Sequence, residues 1–308
     1  MNILVIGSEG NIGTKLVKYL RQLGHDVMRS DIIQHYAKDY AQTDIVSLGD
    51  LYDDALKFKP EVVFHLAAMV SRVTCERAPH LTIDTNLSGT NNVAQLCKNI
   101  GAKMVNFSTS EIYGNISGEM NEERNDIAPN NRYALSKLLA EKIVEYEVQN
   151  YGLRAVTVRP FMFYDEDETM GDHRSAMIRF AEGLLRGEKI TVHRNSKRSW
   201  MHMEDAVVAL ERAMHQEKYT VINIGHPRVV ETEYIAKYMC QKSGADFNKL
   251  VDIVDLPGKM TLEKYPGLKR MKQLLDFEPT ISIEQGMDRV LNTVKLRLQI
   301  ETIEHFYY

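Results

Sequence analysis

The chain is poor in cysteine, with 3 in 308 residues. Cys75, Cys97 and Cys240 are odd in number and outside any metal-ligand spacing. That excludes a disulfide framework and a cysteine-built metal centre, and it suits reduced thiols in the cytoplasm. Long apolar runs are missing too. The opening Met1 to Ile6 is cut short by Gly7, too early for the apolar region of a signal peptide. No segment approaches the roughly eighteen uninterrupted apolar residues of a membrane span. Charge of one sign is not concentrated: the net value is −4 with no block of like charges, which argues against nucleic acid as the main partner. There is no internal repeat or low-complexity tract. The length fits one large domain, or one domain with a smaller lobe.

What is present is alternation. Apolar runs at 3–6, 27–29, 62–66, 104–108 and 155–158 read as strands. Segments 13–23, 51–57, 86–99 and 133–150 carry apolar residues at helical spacing. This pattern predicts βαβ units, a Rossmann-type doubly wound parallel sheet with helices on both faces. After Pro160 the pattern loosens into a smaller lobe, with helices expected at 175–185, from Thr232 and over 283–299. A strand over 220–224 is expected to return to the main sheet. The expected division is a dinucleotide-binding domain over 1–160 and a substrate-binding lobe over 161–308.

Gly7, Gly10 and Gly13 form a GxxGxxG turn between the first strand and the first helix. Such a turn lets backbone approach a pyrophosphate while the helix amino terminus supplies N–H groups. Asp31 ends the second strand, where a carboxylate accepts hydrogen bonds from an adenosine ribose and repels a 2′-phosphate. NAD is therefore favoured over NADP, although Arg29 offers a rival phosphate contact. Asp44 and Ile45 follow a weak third strand and either meet the adenine or form an ordinary loop. His65, Leu66, Ala67 and Ala68 end the fourth strand; the small residues leave room for a cofactor, and His65 reads as a packed core histidine. Asn11, Ile12 and Pro160 complete the candidate cofactor set with Tyr133 and Lys137. No metal ligands are expected.

Tyr133 and Lys137 lie four apart, on one helical face. An ammonium there, with the positive nicotinamide of NAD, is expected to pull the phenol's pKa toward neutrality. Thr109, Ser110 and Glu111 stand where the preceding strand ends, the usual ligand edge of an open α/β sheet. Thr109 offers a hydroxyl to a substrate oxygen, and Glu111 a carboxylate for acid or base work.

Taken together, these motifs resemble the extended short-chain dehydrogenase/reductases of the nucleotide-sugar epimerase/dehydratase family. GxxGxxG, Asp31, the His65–Ala68 run, Ser108 to Gly114, Tyr133 with Lys137, and Arg159-Pro160-Phe161 occur in that family's order. Lys197 to Asp205 and Leu275 to Pro279 resemble its later segments, and Asn86 its helix asparagine. The resemblance implies that Tyr133 takes a proton from a sugar hydroxyl, commonly at C4, as hydride passes to NAD. It implies that Lys137 orients the nicotinamide ribose, Thr109 binds the same sugar oxygen, and Ser110 and Arg198 contact a nucleotide-diphosphate sugar. It further implies a homodimer through the Asn86 and Tyr133 helices.

Glu111 tilts the expectation toward chemistry beside a C4 ketone: dehydration, epimerisation or decarboxylation. A net 4-dehydrogenase or reductase and a non-catalytic NAD-binding regulator are the alternatives. The chain also departs from the family. Met162 stands where an asparagine usually contacts the diphosphate, and Ser136 where decarboxylases tend to have glycine. An acidic stretch, 165–172, followed by His173 and Arg174, either shapes the sugar pocket or forms a solvated lid.

Overall fold

The computed structural model describes residues 1–47, 49–170, 175–256 and 261–307. Its central sheet holds β1 (Asn2–Ile6), β2 (Asp26–Asp31), β3 (Tyr40–Gln42), β4 (Val62–His65), β5 (Lys103–Phe107), β6 (Ala155–Pro160) and β7 (Val221–Ile224). The order across the sheet is β7-β6-β5-β4-β1-β2-β3, with every neighbouring pair parallel. This is the doubly wound architecture expected from the alternation. Strand order reverses between β1 and β4, and the chain leaves the two strands in opposite directions. The crevice at their carboxyl ends is the usual ligand position of such sheets.

Both faces of the sheet are buried, which explains the nearly continuous apolar runs. Ile3 and Val5 face Leu16 and Leu20 of α1 (Asn11–Gln22). Leu4 and Ile6 face the opposite side, in a core with Leu51 of α2 (Gly49–Phe58) and Leu96 of α3 (Gly89–Ile100). The segment 86–99, expected as one helix, begins instead with a π-helical turn over Asp84–Ser88. Asn86 explains the irregularity: its side chain accepts the Met69 N–H at 2.8 Å and donates to the Met69 carbonyl at 3.1 Å. Two short helices after β4, Arg72–Arg77 and Pro79–Ile83, are too brief for periodicity to reveal.

The later chain builds a second core from α5 (Ala176–Arg186), α7 (Thr232–Ser243) and α9 (Ile283–Tyr307). A three-stranded sheet of Met162–Tyr164, Lys197–His202 and Val229–Glu231 supports it. Yet α6 (Met203–Ala213) and α8 (Lys269–Leu275) return to the main sheet. Their residues Ala206, Leu210, Met271 and Leu275 share the core of Ile3 and Val5. The site's positioning elements are therefore the ends of β1, β2, β4 and β5, the start of α4 (Arg132–Tyr151) and the segments after 160 that cover them.

Candidate active site

The glycine turn fits a dinucleotide by its backbone contacts. Gly7 and Ser8 donate their N–H groups to the Ser30 carbonyl at 2.7 and 3.1 Å, tying the turn to β2. Gly7 has φ +89°, and a Cβ there would lie 2.6 Å from the Ala67 nitrogen; at Gly13 one would lie 2.2 Å from the Gly7 oxygen. Only glycine permits both approaches. Gly10 is the N-cap of α1 and makes no side-chain cap bond, so the helix N–H groups stay available to a phosphate. Asn11 and Ile12 are half-buried beside it, as are Leu66, Ala67 and Ala68 beyond β4, and Pro160 at the end of β6.

Asp31 stands at the end of β2 with its carboxylate accepting N–H bonds from Glu9 at 3.0 Å and Ile32 at 2.8 Å. Arg29, the rival phosphate contact, is engaged elsewhere: Nε and Nη2 bond the two Asp39 oxygens at 3.1 and 3.2 Å. The Thr43 N–H bonds the Asp31 carbonyl at 2.8 Å, which brings Asp44 next to this corner. Asp44 is exposed and accepts the Val46 N–H at 2.9 Å. Ile45 turns its side chain into the core against Gly89, leaving only its backbone to a cofactor. His65 is fully buried and bonded to Thr90 at 3.0 Å. Burial, then Lys137, pushes its imidazole down to about 3, so it is a neutral packing group.

Thr109 lies by the phenol of the half-buried Tyr133 and lowers its pKa. Its Oγ also accepts the Glu111 N–H at 3.2 Å, capping the 3₁₀ turn Ser110–Tyr113. Asn131, which sequence reasoning missed, joins this turn to α4. As N-cap it accepts the Ala134 N–H at 2.8 Å and donates to Glu111 at 3.5 Å. An Asn just before an apolar helix was the available signal. Ser136 ties two helices together, donating to the Tyr133 carbonyl at 2.8 Å and accepting from Asn86 at 2.9 Å. Thr90 continues this chain, donating to the Asn86 carbonyl at 2.7 Å.

The expected fall of the Tyr133 pKa is not supplied by the protein's own groups. Burial pushes the phenol up to about 12, outweighing the lowering influence of Thr109. Lys137 is itself desolvated and brought down to about 8, with Glu141 opposing the shift. Sequence spacing placed the pair correctly but overlooked that burial raises a neutral acid's pKa.

Lys264 is the principal residue that the sequence concealed. It is fully buried and bonds Glu111 Oε1 at 2.5 Å and Ser110 Oγ at 3.3 Å. Burial raises the Glu111 pKa, but Lys264, Arg72 and Arg198 together bring it down to about 2. Burial, partly opposed by Glu111, lowers the Lys264 pKa, and Arg198 and Arg72 lower it further. The corner thus sets Lys264 and Arg72 on one carboxylate, with Arg198 close enough to lower its pKa. Arg198 is buried, and its guanidinium also bonds the Lys197 and Leu262 carbonyls at 2.8 and 2.7 Å and the Thr261 carbonyl at 2.5 Å.

The described part of the acidic stretch is not a solvated lid. Asp165, 2% exposed, pairs with Lys15 of α1 at 3.2 Å, and Asp167 also bonds Lys15. Glu166 accepts from His202 Nε2 at 2.7 Å, while His202 Nδ1 accepts the Glu204 N–H. Arg297 donates to the Glu168 carbonyl at 2.6 Å. Four acidic positions therefore strap the first helix to the second core. Asp172, His173 and Arg174 lie outside the described residues. No helix among the described residues is long and apolar enough to cross a membrane.

Comparison with known proteins shows what the chain as a whole is similar to. The profile described as the NAD dependent epimerase/dehydratase family matches residues 3–225. UDP-glucuronic acid decarboxylase 1 of Xenopus tropicalis is 25% identical over 314 residues, covering 96% of this chain and 73% of that protein. UDP-N-acetyl-alpha-D-glucosaminuronate decarboxylase of Bacillus cytotoxicus is 27% identical over 316 residues, covering 94% and 96%. The solved structure of MoeE5 in complex with UDP-glucuronic acid and NAD superposes with a TM-score of 0.87 at 21% identity, over 96% of this chain and 100% of that one. At that identity the likeness is one of fold.

Proposed function

The chain belongs to the NAD-dependent epimerase/dehydratase family, and on that footing we propose that it oxidises the hexose of a nucleotide sugar at C4. It then dehydrates or epimerises the 4-keto sugar. The observation that carries this reading is that Tyr133 and Lys137 stand one turn apart at the start of α4, with Thr109 close enough to the phenol to lower its pKa from the carboxyl edge of the sheet. In this reading residues 1–160 bind the dinucleotide and residues 161–308 mainly the nucleotide sugar.

Gly7, Gly10, Asn11, Ile12, Gly13 and Asp31 would hold NAD, with Asp44, the Ile45 backbone, Leu66, Ala67, Ala68 and Pro160 along its length. When bound, NAD supplies the hydride acceptor and a positive ring that favours the tyrosinate. Tyr133 then takes the proton of the C4 hydroxyl, and Thr109 holds that oxygen. Lys137 orients the cofactor's ribose, and Ser110 and Arg198 contact the substrate. A ketone at C4 makes the C5 proton acidic. In this reading Glu111, ionised at neutral pH, would take it, and the Lys264 ammonium bonded to it would be the adjoining proton donor.

One observation supports a second reading, a hexuronate substrate. Lys264 and Arg72 contact a single carboxylate and Arg198 acts on it electrostatically, an excess of positive charge suited to a C6 carboxylate. Loss of carbon dioxide would send the C5–C6 bond electrons toward the C4 ketone, and the resulting enolate would take a proton at C5. The decarboxylases among the relatives support this alternative.

A homodimer is part of the proposal. Leu135, Leu139 and Tyr146 lie along one side of α4 at 47%, 42% and 55% exposure, an apolar face suited to the same helix of a second copy. The cysteines are free and buried, as a cytoplasmic enzyme's would be.

The test is incubation with NAD and a panel of UDP-, GDP-, dTDP- and CDP-sugars, uronates included, with products read by mass and NMR. Loss of water, loss of carbon dioxide, an isomer of equal mass and a two-hydrogen loss separate the reactions. The Tyr133→Phe variant should fold, bind NAD and transfer no hydride. Undiminished turnover in that variant would end the assignment.

A further inference from the structure

Arg29 stands on the strand that Asp31 ends, and two carboxylates hold it. Arg29 and Asp31 are two apart on β2 and so point to the same face of the sheet. Asp39 takes Arg29 Nε and Nη2 through both of its oxygens. Glu9, inside the glycine turn, takes Nη1 at 3.3 Å. The guanidinium also lies over the Tyr40 ring, 5.4 Å from its centre. Arg21 bonds Asp39 as well. The Glu9 N–H meanwhile donates to Asp31, so one residue joins the turn, the strand end and the guanidinium.

Three carboxylates therefore converge with two guanidiniums, and Arg29's donors are already committed to Asp39 and Glu9. Space is not what excludes a phosphate. A groove of about 520 Å³, lined by Glu9, Lys18, Arg21 and Arg29 among others, opens alongside. A phosphate arriving there would meet Glu9 and an Arg29 already bonded to Glu9 and Asp39.

We propose that Glu9 and Asp39 are specificity-determining residues which, by occupying Arg29, exclude a 2′-phosphorylated dinucleotide independently of Asp31. The proposal rests on reading the glycine turn as a dinucleotide site and asks nothing of the sugar chemistry. Removing Asp31 alone would take away one repulsive charge while leaving Arg29 committed. Removing Glu9 and Asp39 as well would free a fork of donors that matches a phosphate.

The test is calorimetric binding of NAD, NADP, 5′-AMP and adenosine 2′,5′-bisphosphate to the full chain. Wild type is expected to favour NAD over NADP strongly, and Asp31→Ser should still favour it. Glu9→Gln, Asp31→Ser and Asp39→Asn together should bind NADP at least about tenfold tighter than Asp31→Ser alone, the yield of a regained charge-assisted hydrogen bond. Adding Arg29→Gln should abolish that gain. If Asp31→Ser already binds both cofactors equally, or the triple variant gains nothing over it, the proposal is overturned. If the triple variant does not fold, Glu9→Gln alone should narrow the preference for 5′-AMP over the bisphosphate by about threefold. No narrowing would count against it. A folded wild type that binds neither cofactor would instead refute the dinucleotide reading itself.

Discussion

Lys264 and Glu111 are separated by 153 positions in the chain and by 2.5 Å in the fold. Lys264 is 1% exposed in its side chain and Glu111 15%, so the pair is largely shielded from water. It is also the main reason that the carboxyl is held far below its usual range.

Replacing Lys264 by Met removes that cation and lets burial dominate at Glu111. The carboxyl's pKa should rise, although Arg72 and Arg198 remain to oppose it. The acidic limb of the kcat/KM profile should move to higher pH, and stability should fall by about 1–3 kcal/mol. Lys264→Arg should restore both. A pH profile with an unmoved acidic limb would exclude Lys264 from the site's electrostatics.

The glycines of the turn should respond unequally to alanine. At Gly13 the new methyl would lie 2.2 Å from the Gly7 oxygen and 2.8 Å from Ser8 Cα, whereas at Gly10 it would lie 3.3 Å from the Gly7 oxygen. Gly13→Ala should cost about 2 kcal/mol or more in chemical denaturation and weaken NAD binding at least about tenfold. Gly10→Ala should stay within about 1 kcal/mol. Equal losses would mean that the turn is not packed as described.

Arg159 and Glu141 form a buried ion pair, with the two side chains 4% and 2% exposed. Arg159 also donates to the Tyr113 hydroxyl at 2.9 Å, and that hydroxyl donates to Asn223 at 2.8 Å. Arg159→Met leaves Glu141 buried without its cation and should cost about 3–5 kcal/mol. Arg159→Met with Glu141→Leu should recover much of the loss, because no charge is then stranded. Urea melts of the two variants decide it, and a double variant no more stable than the single one would contradict this account.

Acid should destabilise the fold in two stages. His65 is held down to about 3 by burial, then Lys137. The unfolded chain therefore binds this proton first, and stability falls as pH drops below about 6.5. Glu111 is held at about 2 where burial is overcome by Lys264, and Glu166 at about 2 by its His202 hydrogen bond. Their contributions are full above the unfolded carboxylate value and are lost as pH falls from about 4.3 toward 2. Asp39, also held at about 2, chiefly by Arg29, is more exposed and adds less after screening. Thermal melts from pH 8 to 3 should show a midpoint that is level above about pH 7 and falls below about 6.5, more steeply below about 4.3; a flat profile would refute the scheme.

Legibility varied with the range of the interaction. Tyr133 and Lys137 share a helix turn, and Gly7 to Gly13 share one loop, so spacing alone described their geometry. Asn131 carried a capping signal that was readable but passed over. The π turn at Asp84–Ser88 was not readable, because its cause is a bond from Asn86 to Met69, on a different loop. Lys264 had no local signal at all: its neighbours are ordinary, and only the return of the chain toward β5 places it under Glu111.

The sequence by itself determined the order of strands and helices, the glycine turn, the strand-end Asp31 and the tyrosine–lysine pair. Each is written in a periodicity or spacing within a few residues, where backbone geometry converts position directly into direction. The tertiary structure alone decided that Arg29 is occupied by Glu9 and Asp39, that Lys264 faces Glu111, and that burial raises Tyr133. Those outcomes depend on desolvation and on charges from distant segments, and both exist only once the chain has closed around them.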